Sequence, residues 1–176
     1  NYEISKVFII LVVIVEGIMK YYKTGELRNI ALVGHGGEGK TTLAEAMLFL
    51  SGAIDRQGRT EDGNTVMDYD PEEIKRHISI SSSMAPVEWK GVKINIIDTP
   101  GYFDFLGDAT SGYYLADSAL ILVNGLGGLT VGAEKAWDSC VAHKKAKAFF
   151  INQMDKEHVD FDKVIDSLKE KYTTHI

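Results

Sequence analysis

The segment Gly34-His35-Gly36-Gly37-Glu38-Gly39-Lys40-Thr41 has the form G-x-x-x-x-G-K-T. The apolar run Ile30-Ala31-Leu32-Val33 precedes it, and Thr42-Leu43-Ala44-Glu45-Ala46-Met47-Leu48 follows with a helical pattern. A strand, a glycine-rich turn and a helix start in that order aim backbone N–H groups and the positive end of a helix dipole at one point. Such a site binds a polyphosphate. Gly34, His35, Gly36, Gly37, Glu38 and Gly39, with Thr42, form the cradle. Lys40 reaches the outer phosphates and the Thr41 hydroxyl ligates Mg²⁺. The side chain of His35 has no need to touch phosphate, so its role is mainly that of its backbone.

Two further motifs follow predicted strands. Asp98-Thr99-Pro100-Gly101 comes after Lys93–Ile97. In a phosphate-loop protein, a carboxylate at the end of a neighbouring strand holds Mg²⁺, often through water, and the Gly101 N–H meets the γ-phosphate. Asn152-Gln153-Met154-Asp155 comes after Ala148–Ile151 and is similar to the guanine-reading pattern N-K-x-D, with Gln153 replacing Lys. The Asp155 carboxylate accepts two hydrogen bonds from guanine, which adenine cannot supply. Asn152 contacts the base edge and ties this motif to the phosphate loop. Alone, D-T-P-G reads as a turn and N-x-x-D as an Asx turn. Taken in order, the three motifs have the layout of a GTP-binding domain.

The elements that must position these residues alternate. Strands are expected at Arg28–Val33, Ile78–Trp89, Val92–Ile97, Ser118–Val123 and Lys147–Ile151. Helices are expected at Lys40–Ser51, Phe105–Ala116, Val131–Lys144 and Phe161–Tyr172. Lys90-Gly91 is a hairpin signal. Gly52–Glu73 is polar and reads as a long loop, and a loop of that length in a compact domain is usually functional. The pattern predicts a three-layer α/β phosphate-loop fold: a mainly parallel sheet with one antiparallel strand and helices on both faces.

The chain has 176 residues, 45% hydrophobic and 25% charged, enough for one domain with a real core. The net charge of −6 argues against broad electrostatic binding of nucleic acid and leaves a local RNA contact open. The single Cys140 reads as a small core or boundary residue, and no histidine pair suggests a transition-metal site. Val7–Val15 is an apolar run of nine residues, whereas a membrane-spanning helix needs about 20. It reads as a buried strand, an aggregation-prone tail or, preferably, translated upstream sequence before a true start at Met19. Residues 1–27 are accordingly read as an extension. Residues 28–176 are read as a GTP-binding domain cut short at its C-terminus, with the loop that closes over the base expected further on. A cytoplasmic protein without membrane association is expected.

The motifs together carry a family resemblance. Residues 28–172 resemble the N-terminal GTPase domain of elongation factor G and its relatives. Thr65-Val66-Met67-Asp68-Tyr69, Glu73 and Arg76-His77-Ile78-Ser79-Ile80 resemble that family's first switch region, which ends R-G-I-T-I. Asp98-Thr99-Pro100-Gly101-Tyr102-Phe103-Asp104-Phe105 resembles its second, D-T-P-G-H-x-D-F. The resemblance implies GTP and GDP as ligands, Mg²⁺ held by Thr41, Ser79 and Asp98, hydrolysis with Lys40, Gly101 and Tyr102 at the γ-phosphate, and the ribosome as partner of a monomer. Ser79 stands where the family has Thr and keeps a hydroxyl. Gln153 stands where Lys packs along the base. Tyr102 stands at the catalytic His position, and a subset of elongation-factor-G-like proteins shares this aromatic replacement. A neutral phenol, with an ordinary pKa near 10 against about 6.5 for imidazole, predicts slow intrinsic turnover. Three alternatives stay open: a GTP-gated binding module that hydrolyses little, a ribosomal-protection or peptide-release type of translational GTPase, and a phosphate-loop ATPase, against which Asp155 argues.

Overall fold

In a computed structural model, residues 20–172 are described. The reading of Met19 as a start, the run Val7–Val15 and residues 173–176 lie outside them. The strands are β1 (Leu27–Val33), β2 (Ser83–Trp89), β3 (Val92–Asp98), β4 (Ser118–Asn124) and β5 (Ala146–Asn152). The helices are α1 (Lys40–Leu50), α2 (Pro71–Arg76), α3 (Leu106–Leu115), α4 (Val131–Ala142) and α5 (Phe161–Tyr172). The sheet order is β2-β3-β1-β4-β5, all pairs parallel except β2 with β3.

Side chains alternate across the sheet because successive Cβ atoms point to opposite faces. Leu32, Ile96 and Leu122 pack with Ala44 and Leu48 of α1 on one face. Ala31, Val33, Ile97, Ile121 and Val123 pack with α3, α4 and α5 on the other, where Cys140 is fully buried. The β2–β3 hairpin turns at Lys90 and Gly91, whose positive φ angles of 48° and 82° match the twist of the strands it joins. No helix among the described residues is long and apolar enough to cross a membrane.

The structure differs from the sequence expectation between residues 52 and 82. Gly52–Glu73 is not wholly loop: a 3-10 turn forms at Thr60–Asp62, and α2 begins at Pro71. Asp70 caps α2 by accepting from the Glu72 N–H, and the Glu73 carboxylate accepts from the Asp70 N–H, a capping box with proline at the first helical position. Strand β2 starts at Ser83 rather than Ile78, because the Ile80 and Ser81 N–H groups donate to Glu73 (2.8 and 3.0 Å) instead of to a neighbouring strand.

Candidate nucleotide and metal site

The loop Gly34–Gly39 turns from the end of β1 into α1. Gly34, Gly37 and Gly39 have φ of 140°, 80° and 87°, backbone that L side chains rarely adopt. Gly39 is the left-handed residue immediately before α1, so the N–H groups of the first helical turn face the loop. The buried Lys40 donates from Nζ to the carbonyls of His35 (2.7 Å) and Gly34 (3.3 Å). Burial lowers its pKa, opposed by Asp98, Glu38 and Asp68. Glu38 folds its side chain back onto the loop. Its carboxylate is buried, accepting from the His35 N–H (2.6 Å) and the Thr130 hydroxyl (2.7 Å), and burial raises its pKa. Beside the loop lies a cavity of about 310 Å³ whose walls include Lys40, Thr41, Thr42, Ser79, Tyr102 and Gln153.

Three oxygen-bearing side chains from distant segments meet behind Lys40. The Thr41 hydroxyl donates to Asp98 Oδ2 at 2.6 Å and lies 3.1 Å from the Ser79 hydroxyl. Asp98 is 1% exposed, and its Oδ1 has no hydrogen-bond partner. A buried carboxylate oxygen without a partner is costly. Two hydroxyls beside it form the hard oxygen set that suits Mg²⁺, which keeps waters and phosphate oxygens as its other ligands. The residues therefore fit the ion. Among the described residues no group of three or more His, Cys, Asp or Glu side chains is placed to hold a metal.

Burial pushes the Asp98 carboxyl up to about 7, against the Thr41 hydrogen bond and the charge of Lys40. Between 3.8 and about 7 the folded chain binds this proton and the unfolded chain does not, so this group's contribution to stability falls as pH rises through that window. A cation that needs the carboxylate competes with the proton. The tightening of nucleotide binding by Mg²⁺ is expected to grow between pH 6 and 8 and to lose this dependence in Asp98→Asn. Titration of a fluorescent GDP analogue with and without Mg²⁺ across that range checks it.

Two buried carboxylates, absent from the sequence-predicted site, hold the segment between α1 and β2. Glu45 of α1, fully buried, accepts from the N–H groups of Gly58 (3.1 Å), Val66 (2.7 Å) and Met67 (3.1 Å). Glu73 anchors Ile80 and Ser81, next to Ser79. The signal in the sequence was a charged residue inside the buried stripe Thr41, Ala44, Glu45, Leu48 of α1. Glu45→Ala leaves three N–H groups without acceptors and is expected to lower stability by about 3 kcal/mol, read by urea unfolding. Faster proteolysis within residues 56–68 accompanies it. Asp68, also buried and raised in pKa by burial, lines the cavity near Ser79. His77, with φ 54°, is the left-handed residue that ends α2, which explains how its position accepts glycine in the family pattern.

On the other side of the loop, Asn152 Nδ2 donates to the Glu38 carbonyl at 2.8 Å, and a Cβ on Gly39 would collide with that amide. Gln153, at φ 58°, donates to the Gly37 carbonyl (3.1 Å) and accepts from Asn124 Nδ2 (2.9 Å). Asn124 is a further partner that the motifs did not reveal. Asp155 is exposed in the turn after β5, outside the cavity wall. Gly101 packs so tightly against the Lys40 ammonium and the Gly36 N–H that no side chain fits there. The phosphate loop, Asp98, Asn124 and Asn152 lie at the carboxyl ends of β1, β3, β4 and β5, where open α/β sheets bind ligands.

A five-stranded sheet with a G-x-x-x-x-G-K-T loop, a strand-end Asp and an N-x-x-D turn at one edge defines a phosphate-loop G domain. The family model described as the elongation factor Tu GTP binding domain matches residues 25–176, and the chain belongs to that family. It is 37% identical over 150 residues to an elongation factor G-like protein of Thermotoga maritima. That match covers 85% of this chain and 21% of the relative. It is 37% identical over 152 residues to a mitochondrial ribosome-releasing factor 2 of Drosophila ananassae, covering 86% of this chain and 20% of the relative. A crystal structure of a protein from Thermus thermophilus superposes with a TM-score of 0.79 at 36% identity, over 81% of this chain and 22% of that one. The chain thus spans about a fifth of the length of these relatives.

Proposed function

We propose that residues 28–176 form the GTP-hydrolysing domain of a cytoplasmic, elongation-factor-G-like translation factor that works as a monomer on the ribosome. The observation that carries this reading is the convergence of Thr41, Ser79 and Asp98 beside Lys40 from three separate segments. In this reading the N–H groups of Gly36, Gly37 and residues 39–42, which line the cavity, hold the phosphates, while the His35 N–H stays with Glu38, and Lys40 neutralises the β- and γ-phosphates. Thr41, Ser79 and Asp98 hold Mg²⁺, which when bound offsets charge on the phosphate oxygens. The Gly101 N–H meets the γ-phosphate, and Tyr102 orients water through its phenol. Asn152, Gln153 and Asp155 select guanine. Loss of the γ-phosphate frees Gly101 and Ser79, loosening both switch segments and changing affinity for the partner.

Tyr102 favours a second reading, a GTP-gated ribosome-binding module with little hydrolysis. Single-turnover GTP cleavage with and without ribosomes separates the two. Acceleration by ribosomes supports the enzyme. Ribosome binding driven by GTP without accelerated cleavage supports the module.

A further inference from the structure

Gly36 has no conformational reason to be glycine, since its φ lies outside the left-handed region that its neighbours Gly37 and Gly39 require. Its reason is space. A Cβ at position 36 would stand 2.7 Å from Tyr102 Cζ, 2.8 Å from Cε2 and 3.0 Å from Cε1. The phenol ring of Tyr102 therefore lies on the bare backbone of the phosphate loop, and both residues line the nucleotide cavity. The turn that carries the ring is pressed onto the same backbone, because a Cβ on Gly101 would meet Gly36 N at 2.6 Å and the His35 carbonyl carbon at 2.7 Å. The His35 ring lies below, 6.5 Å from the Tyr102 ring and 5.8 Å from that of Phe103. The Lys135 ammonium lies over the Phe103 ring at 4.1 Å.

We propose that Gly36 is a positioning residue for Tyr102: its missing side chain seats the phenol over the terminal-phosphate end of the cradle, so that this end of the site is set by a pair of residues and not by Tyr102 alone. The inference rests on the GTP reading above. Tyr102 is 41% exposed, so a methyl group at position 36 would push the ring outward into solvent and leave the fold standing.

Two measurements test it. In protein labelled with 3-fluorotyrosine and free of nucleotide, the ¹⁹F resonance of Tyr102, assigned by its loss in Tyr102→Phe, is expected to move in Gly36→Ala. The ratio of GDP to GTP dissociation constants then reads the terminal-phosphate end alone, since both nucleotides use the rest of the cradle. Gly36→Ala is expected to lower the preference for GTP at least fivefold in the native chain. The same change should lower it less than twofold when Tyr102→Ala has removed the ring. An unmoved resonance, or equal losses in both backgrounds, overturns the pairing. Failure of the unsubstituted chain to bind GTP or GDP at all sinks the underlying reading, while the resonance arm still reports the contact.

Discussion

Lys40→Ala is expected to weaken GTP binding by about 150- to 20,000-fold. The ammonium is already withdrawn from water and held by the carbonyls of Gly34 and His35, within the loop whose amides face the cavity. Its desolvation is therefore largely complete before a nucleotide arrives. Two charge-assisted hydrogen bonds to phosphate oxygens, at about 1.5–3 kcal/mol each, give a loss of about 3–6 kcal/mol. The measurement is calorimetric titration with GTP, with thermal unfolding run in parallel to show that the variant is folded. A folded variant that binds within threefold of the native chain would remove the loop from the phosphate site. The expected loss should be smaller for guanosine than for GTP, because the lysine has no contact with the base.

The second large effect concerns the base. Asp155→Asn replaces an acceptor of two hydrogen bonds with a side chain that donates at one of those positions. Guanine then meets a donor where it needs an acceptor, whereas xanthine offers a carbonyl there. Two hydrogen bonds to a charged group, at about 1.5–3 kcal/mol each, set the expected loss of guanine preference at about 10²- to 10⁴-fold, with a gain for xanthosine nucleotides. Competition of GTP, XTP and ATP for a fluorescent analogue measures it. Unchanged ranking of the three in the variant would show that Asp155 does not read the base. Asn152 and Gln153 supply the reason to look here: both are hydrogen-bonded to the phosphate loop, at the Glu38 and Gly37 carbonyls, so the turn carrying Asp155 is fixed relative to the phosphates.

The order of the strands and of every helix except α2, the phosphate loop and the strand-end Asp98 were legible in the sequence because each rests on local chemistry. Glycines take positive φ, apolar residues alternate on strands, and a carboxylate follows an apolar run. The parts that were not legible are long-range. Glu45 reaches across to backbone more than ten residues away: its place in the apolar stripe of α1 marks it as unusual, but no spacing rule names loop N–H groups as its partners. Glu73 was readable in principle, since Asp70-Pro71-Glu72-Glu73 is a helix-start pattern, but its second task of holding Ile80 and Ser81 out of β2 depends on the fold. Glu38 sits inside the motif while its side chain serves Thr130 in the next layer. Gly36 reads in the sequence as one more flexible loop glycine, and only the position of the Tyr102 ring gives it a different meaning.

The most direct test is titration calorimetry of folded protein with GTP, GDP and ATP, each with and without Mg²⁺. Tight uptake of both guanine nucleotides, strengthened by Mg²⁺, with ATP weaker by orders of magnitude, is the expected result. Equal affinity for guanosine and adenosine nucleotides, or binding indifferent to Mg²⁺, would contradict a site in which the loop at residues 34–41 grips phosphate and position 155 reads the purine.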